Sequence, residues 1–315
     1  MQLKRIGVWQ RRILLASTLF LISIFCGTTQ LKQFRNASSV FLDSQWIKVL
    51  NWFGNDDFYL YVVGCILSIQ IPFWSVGSVY MFLDYFNWPK WIRKYKVQPG
   101  TNEPLDLNKL IETVRVVLIN QWLISNPIFV VSYFIKQLTN TMPKMYELPT
   151  PQRFLLELFV LIVIDEIALY YLHRLIHHPK LYARVHKKHH EWPAPIAVSF
   201  AYSTKTEYVL NMIPVGLGPI LMNPHLVTLW IWYAFVHLRG INNHAGYQLP
   251  WLPASEHHDY HHMASTCCYG RTIFLDWLHG TDKGFRAYLT RKSRLEKRNS
   301  ANTNDDVHQL VNKFD

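Results

Sequence analysis

The sequence predicts an all-α integral membrane protein with about four transmembrane helices, a membrane-dipping helical hairpin and a histidine-rich helical domain. Half of the 315 residues are hydrophobic and 15% are aromatic, which is more than soluble domains usually carry. Several uncharged runs reach the ~20 residues that a helix needs to cross a bilayer. Most of the 15 histidines lie between His173 and His262, in three regularly spaced groups.

Four apolar runs are the predicted spans. The first could also be a signal peptide, but its length, the lack of an A-x-A cleavage site and the further runs that follow it favour a membrane anchor. Pro72 and Pro127 predict kinks in the second and third spans, and the fourth contains three acidic residues. The spans cover residues 13–31, 58–83, 116–135 and 154–172.

A fifth apolar run, residues 208–236, is interrupted by proline or glycine at five positions. These breaks favour a hairpin of two short helices over one long span. Its aromatic residues Trp230, Trp232 and Tyr233 could line a lipid cavity or anchor the hairpin at the membrane interface.

The charge pattern predicts the orientation of the chain. The formal net charge is +11, and the basic residues lie beside the apolar runs without a nucleic-acid-binding motif, so no nucleic acid partner is expected. The positive-inside rule places the N-terminus, the 84–110 linker and the sequence after residue 173 in the cytosol. The sequon at Asn36 then falls in the first lumenal loop.

The three histidine groups have the spacing of metal ligands on helices. Residues three and four apart share one face of a helix, so His173 and His177 project together, and each of the other two groups offers rings at i, i+3 and i+4. The predicted ligands are His173, His177, His186, His189, His190, His258, His261 and His262, with His244 as a ninth candidate.

Eight or nine imidazoles are more than a single ion uses. A zinc site takes three or four protein ligands, so this number indicates two metal ions with open coordination positions. Neutral imidazole suits iron, zinc, copper and nickel, and two irons with open positions can bind and activate O2. His257 could support a ligand from behind, whereas the remaining histidines are expected to be ordinary, namely His178, His225, His237, His279 and His308.

Three acidic residues are candidates for orienting these ligands. Asp165 and Glu166 lie in an apolar span, where a carboxylate is costly and usually has a partner. They either accept the free N–H of a ligand imidazole or form an internal ion pair or a packing hydrogen bond. Asp259, between two predicted ligands, is either a similar group or a solvated acid.

Five motifs within residues 165–286 resemble the fatty acid hydroxylase/sterol desaturase superfamily. The fit is closest to C-4 methylsterol oxidases and a related group of proteins with a fatty acid hydroxylase domain. The motifs are YLHRLIH at 171–177, HKKHHEW at 186–192, HAGY at 244–247, HDYHH at 258–262 and DWLHGTD at 276–282.

The resemblance implies a non-haem di-iron monooxygenase of the endoplasmic reticulum membrane, with its active site facing the cytosol. Residue matching makes the nine histidines ligands of two irons. Such enzymes use O2 and electrons from NAD(P)H, delivered through a reductase and cytochrome b5, to oxidise a lipid. The expected reaction is oxidation of the C-4 methyl group of sterol intermediates. The expected organisation is a transmembrane region at 1–153, a catalytic domain at 154–286 and a polar cytosolic tail at 287–315.

One departure from the family pattern concerns the substrate. Many sterol oxidases of this group carry His-Pro-x-Glu after the second motif, and here Thr204 replaces that histidine while Glu207 is retained. A fatty acyl or sphingolipid hydroxylase or desaturase with the same iron site is therefore an alternative. A metal-free or zinc-loaded, non-catalytic lipid-binding membrane protein is a third reading, against which the complete ligand set argues.

Overall fold

The computed structural model describes residues 29–295, and their regular structure is helical apart from one isolated bridge between Lys96 and Tyr247. The predicted all-α class is confirmed. The helices are α1 Thr29–Trp52, α2 Gly64–Phe86, α3 Leu107–Asn120, α4 Asn126–Leu138, α5 Pro151–Ile176, α6 Pro179–Val185, α7 Lys205–Met222, α8 Leu226–His244, α9 Glu256–Ala264 and α10 Phe274–His279. Short 3-10 helices occupy Lys90–Tyr95, His189–Glu191 and Ala197–Ala201, and residues 283–295 are also helical.

The chain divides into two compact units. The described part of the smaller unit consists of α1 with residues 53–56 and 146–148, so Asn36 lies in a helix where the sequence predicted a loop. Most of the predicted span at 13–31 lies outside the described residues. The larger unit, residues 57–145 and 149 onward, carries all the predicted site residues.

Two helical stretches within residues 29–295 are long and apolar enough to cross a membrane, Tyr59–Phe86 and Leu107–Leu138. In the second stretch, α3 and α4 are joined by a π-helical turn, Gln121–Ser125, just before Pro127, which cannot donate a backbone hydrogen bond. Large side chains such as Phe82, Trp122 and Phe134 are exposed on these stretches. Many large apolar side chains exposed on one helix are stable in hydrocarbon rather than in water, which indicates a membrane protein. The count of four spans stays a prediction.

Helix α5 contains the predicted fourth span and extends it at both ends. Thr150 caps its N-terminus by accepting a hydrogen bond from the Arg153 N–H. Its first acidic residue, Glu157, is buried, pairs with Arg153 at 2.8 Å and accepts the Thr228 hydroxyl at 2.7 Å. The carboxylate in this apolar helix is therefore satisfied by protein partners, as burial requires.

The predicted hairpin at 208–236 is confirmed as two helices, α7 and α8, but they have 18 and 19 residues and are not short. The break lies at residues 223–225, where Asn223 adopts a left-handed conformation with φ of 44°. Pro214 and Pro219 stay inside α7. α7 packs closely against α5 at Gly218, which has no side chain. A Cβ at this position would lie 2.6 Å from the Leu161 side chain.

Candidate metal centre

The predicted ligands come from four segments of the larger unit. His173 lies in the last turn of α5 with His177 as its C-cap, His244 is the last residue of α8, and α9 carries the third group, so helical spacing is confirmed for these. The second group differs. His186 is the C-cap of α6, and His189 begins a separate 3-10 turn. The prediction of one continuous helical face for the second group is therefore wrong, because the chain turns at residues 187–188.

The nine histidines assemble into two groups, within each of which the ligand nitrogens lie less than 4.8 Å apart. We call them the five-histidine group and the four-histidine group. Within each motif, the two histidines four residues apart belong to the same group. His189 and His261, which lie three residues after the first histidine of their motifs, each belong to the other group. The five-histidine group is His173, His177, His186, His190 and His261, and the four-histidine group is His189, His244, His258 and His262.

The Nε2 atoms converge at spacings that suit a shared ion. The Nε2 of His186 lies 3.1 Å from that of His173 and 3.0 Å from that of His190. In the other group, the His244 Nε2 lies 3.1 Å from the Nε2 atoms of both His189 and His258. Two nitrogens bound at a right angle to an ion at about 2.1 Å would be separated by about 3.0 Å.

The opposite ring nitrogens establish the tautomers. The Nδ1 atoms of His189 and His244 lie 3.1 Å from the Tyr202 carbonyl and 2.9 Å from the Gly240 carbonyl. A carbonyl oxygen only accepts, so each Nδ1 carries the proton and each neutral ring directs an Nε2 lone pair inward. Two lone pairs 3.1 Å apart cannot form a hydrogen bond with one another, and a cation between them removes the repulsion. The donor set therefore fits bound metal better than a buried hydrogen-bond network.

Burial keeps these rings neutral, as metal ligands must be. It lowers the pKa of His189 to about 4, and burial with the nearby rings of His189 and His173 lowers the pKa of His190 to about 2. The pKa of His262 is also far below its ordinary value, first because of burial and then because of its neighbouring rings.

Among residues 29–295, the carboxylate that holds a candidate ligand ring is that of Glu207. Its Oε1 lies 2.7 Å from the Nδ1 of His186, and the Glu207 side chain is fully buried. Thr204 caps α7 by accepting the Glu207 N–H, and it donates its hydroxyl to the Val185 carbonyl next to His186. Thr204, which replaces the histidine expected from many sterol oxidases, thus positions the helix that carries Glu207. The retained glutamate was the sequence signal for this role, which the sequence reasoning did not assign.

Asp165 and Glu166 do not hold a ligand ring, so the first of the two alternatives for them is wrong, and the second, an internal ion pair or packing hydrogen bond, is confirmed. Asp165 forms an ion pair with Arg271 at 2.5 Å, and Glu166 accepts the Thr272 hydroxyl at 2.7 Å. Both acids therefore stabilise the segment that follows α9. The two acids therefore act on a candidate ligand only through this segment, whose Tyr269 carbonyl lies 2.7 Å from the Nδ1 of His173.

Asp259 is buried, so the solvated alternative for it is wrong. Its Oδ1 accepts the side-chain amide of Gln98 at 2.7 Å, which links α9 to the loop between α2 and α3. Burial raises the pKa of Asp259 to about 7. His257 is buried but belongs to neither group of ligand nitrogens.

A cavity of about 310 Å³ ends at the two imidazole groups. Rings from both groups line this end, among them His173, His186 and His244, and the walls come from α4, α7 and α8. The lining residues from Tyr208 to Ile220 follow about 18 Å of α7. The helical hairpin thus contributes to the cavity, with Tyr233 in its wall. His237, expected to be ordinary, lines the cavity as well.

Comparison with known proteins shows which family the chain belongs to. The model of the Fatty acid hydroxylase family matches residues 158–281, which contain all nine histidines. "Fatty acid hydroxylase domain-containing protein 2" from Homo sapiens is 42% identical over 264 residues, covering 82% of this chain and 78% of the relative. The chain belongs to the fatty acid hydroxylase family.

Other relatives carry more specific names. "Methylsterol monooxygenase 2-2" from Arabidopsis thaliana is 30% identical, covering 80% of this chain and 96% of the relative. "Very-long-chain aldehyde decarbonylase GL1-8" from Oryza sativa subsp. indica is also 30% identical, over 78% of this chain and 92% of the relative. No solved structure matches the chain. Members of the family are O2-dependent di-iron oxidoreductases, and the expected enzyme class is confirmed.

Proposed function

We propose that this protein is a membrane-bound di-iron monooxygenase that oxidises the C-4 methyl group of sterol intermediates. The observation that carries the proposal is the apolar cavity, which leads from the membrane-facing helices to both imidazole groups. A lipid can reach such a cavity from the bilayer with its reacting carbon next to the metals. The relatives named for methylsterol oxidation support the choice of substrate.

The nine histidines would hold the two irons, and the groups behind them would fix the rings. The Glu207 carboxylate and the Tyr269, Tyr202 and Gly240 carbonyls accept the Nδ1–H of their respective rings. Burial excludes water from the reacting carbon. When bound, the irons supply the activation of O2, so that O2, two electrons and two protons convert C–H to C–OH and release one water.

We propose that the electrons come from NAD(P)H through a reductase and cytochrome b5, on the cytosolic face of the endoplasmic reticulum. The basic side chains of Lys180, Arg184 and Lys187 are exposed beside the second histidine group. This charge would steer an electron carrier with an acidic surface toward the metal centre.

Lipid analysis of cells that lack the gene tests the proposal. The deletion should accumulate 4-methylsterols, which the wild-type gene should clear and His189→Ala should not. Normal sterols in the deletion would contradict the sterol assignment, and unchanged lipids in every strain would contradict the enzymatic role.

An acyl lipid is the second candidate, because a cationic residue, Lys136 on α4, lies in the cavity wall. Its Nζ donates to the Asn223 side chain at 3.0 Å and to the Thr141 carbonyl at 3.3 Å, which leaves a third N–H. A cation at this place could hold the anionic head of an acyl chain whose middle reaches the metals. In that case hydroxylated acyl lipids, and not 4-methylsterols, would change in the deletion.

A further inference from the structure

Four buried polar atoms of residues that line the cavity lack a hydrogen-bond partner among residues 29–295. Two of them, the His258 Nδ1 and the Glu207 Oε2, belong to a candidate ligand and to the carboxylate behind His186. The other two, the Ser203 Oγ and the Asn243 Oδ1, belong to neither. Ser203 and Asn243 are each 3% exposed, and both line the cavity that ends at the imidazole groups. An unpaired buried polar atom costs about 1–3 kcal/mol, so such atoms in a ligand cavity indicate a partner that the ligand supplies.

Both atoms belong to the part of the cavity next to the metal centre. Ser203 follows Tyr202, whose carbonyl accepts the Nδ1–H of His189, and Asn243 precedes His244. The Nε2 atoms of His189 and His244 are 3.1 Å apart, which ties the two segments together.

Packing of the Phe200 ring against α8 also joins the two segments. A Cβ on Gly240 would lie 2.4 Å from the Phe200 ring, so the lack of a side chain at Gly240 admits the ring against α8. Asn120 also fixes the segment from the other side, because its side-chain amide donates to the Ser203 carbonyl at 3.2 Å.

The chemistry of the pair selects a class of ligand. The amide oxygen of Asn243 only accepts, and the Ser203 hydroxyl can donate. An alcohol satisfies both, since its O–H donates to the amide oxygen while its oxygen accepts from the serine. A ketone would leave the amide oxygen unpaired, and a carboxylate would be repelled by it.

We propose that Ser203 and Asn243 form a hydroxyl-binding subsite that holds the 3-hydroxyl of a sterol beside the metal centre. This inference rests on the proposed function, and it adds the residues that position the substrate. In a 4-methylsterol the hydroxyl lies on the ring carbon next to C-4. Anchoring it near the metals therefore places the C-4 methyl group there as well, with the rest of the lipid extending along α7. The two residues are positioning residues, because they act on the hydroxyl and not on the carbon that is oxidised.

The test compares a 4,4-dimethylsterol that carries the 3-hydroxyl with its 3-deoxy analogue, using the iron-loaded full-length protein and its electron donors. The wild type should favour the hydroxyl compound in kcat/KM by roughly tenfold, as expected for one or two neutral hydrogen bonds. Ser203→Ala should remove most of this preference by slowing only the hydroxyl compound, and Asn243→Ala should act in the same direction. Iron content should be unchanged in Ser203→Ala.

Ser199→Ala is the matched control. Ser199 is a fully buried serine of the same segment, but its hydroxyl donates to the Ile196 carbonyl and it does not line the cavity. This variant should keep the wild-type preference. Equal use of both sterols by the wild type, or a Ser203→Ala defect that is equal for both, would overturn the subsite.

Direct binding separates failure of the subsite from failure of the proposed function. If the iron-loaded protein oxidises neither sterol, the proposed reaction is wrong, and the binding of the two radiolabelled sterols then decides the subsite. Tighter binding of the hydroxyl compound that Ser203→Ala abolishes supports the subsite, and equal binding of the two compounds overturns it.

Discussion

The two imidazole groups differ in how firmly the protein holds their rings. In the five-histidine group, the Nδ1 atoms of His173, His186, His190 and His261 all lie within hydrogen-bond distance of a protein oxygen. In the four-histidine group, the His258 Nδ1 and both nitrogens of His262 have no hydrogen-bond partner among the described residues.

The groups also differ in their access to the cavity. Three of the four rings in the smaller group line it, compared with two of the five in the larger group. Fewer ligands leave more open coordination positions for O2 or substrate. We therefore expect firmer metal retention in the five-histidine group and an open, substrate-facing position in the four-histidine group.

Removing one ligand from each group should give the largest contrast. His262→Ala leaves three rings in the smaller group, and we expect bound metal to fall from two ions to one per chain. His261→Ala, the neighbouring residue in α9, leaves four rings in the larger group and should retain two ions under saturating metal. Metal analysis of the two purified variants measures this, and the reverse pattern would break the comparison.

Chelation should separate the two groups in the wild type. Because its rings are less tethered, the four-histidine group should release its ion first, which gives two kinetic phases of metal loss. The fast phase should be missing in His262→Ala. A single phase that removes both ions from the wild type would show that the two groups hold metal equally.

The carboxylate behind His186 should matter less than a ligand itself. Glu207→Gln replaces the acceptor with an amide of similar size, and loss of such a partner typically lowers metal affinity or activity by about 10–100-fold. Glu157→Gln is the control, because Glu157 is also a buried glutamate but bonds to Arg153 and Thr228. Competition with a metal-binding dye compares them, and equal affinities would contradict the role of Glu207.

The Asp165–Arg271 pair should affect stability more than metal binding. Asp165→Asn leaves the largely buried Arg271 without its counter-charge, which typically costs about 3–5 kcal/mol. We expect a lower thermal unfolding midpoint with two metals still bound at 25 °C. Loss of metal without loss of stability would contradict this, and would indicate that Asp165 supports a metal ligand.

The helical histidines were the most predictable part of the site. The i, i+4 spacing placed His173 with His177 and His258 with His262, because that spacing alone determines a shared helical face. The division of the second motif's three histidines between the two groups could not be predicted in this way. The turn at residues 187–188 sends His189 to one group and leaves His186 and His190 in the other.

The partners of buried acids were also beyond the sequence. Asp165 meets Arg271 across 106 positions of the chain, and Glu207 meets His186 across 21. Sequence indicates that a buried carboxylate needs a partner, but only the packing of α5, α7 and the segment after α9 decides which one it has. The hairpin was predictable in kind, while its break at residues 223–225 was one of several glycine and proline positions available.

Metal analysis of anaerobically iron-loaded, full-length protein tests the central claim most directly. The two imidazole groups predict two iron ions per chain, and both should be lost from a variant that lacks His189, His262, His186 and His190. Less than one iron per chain, with stoichiometric zinc in its place, would contradict the di-iron assignment.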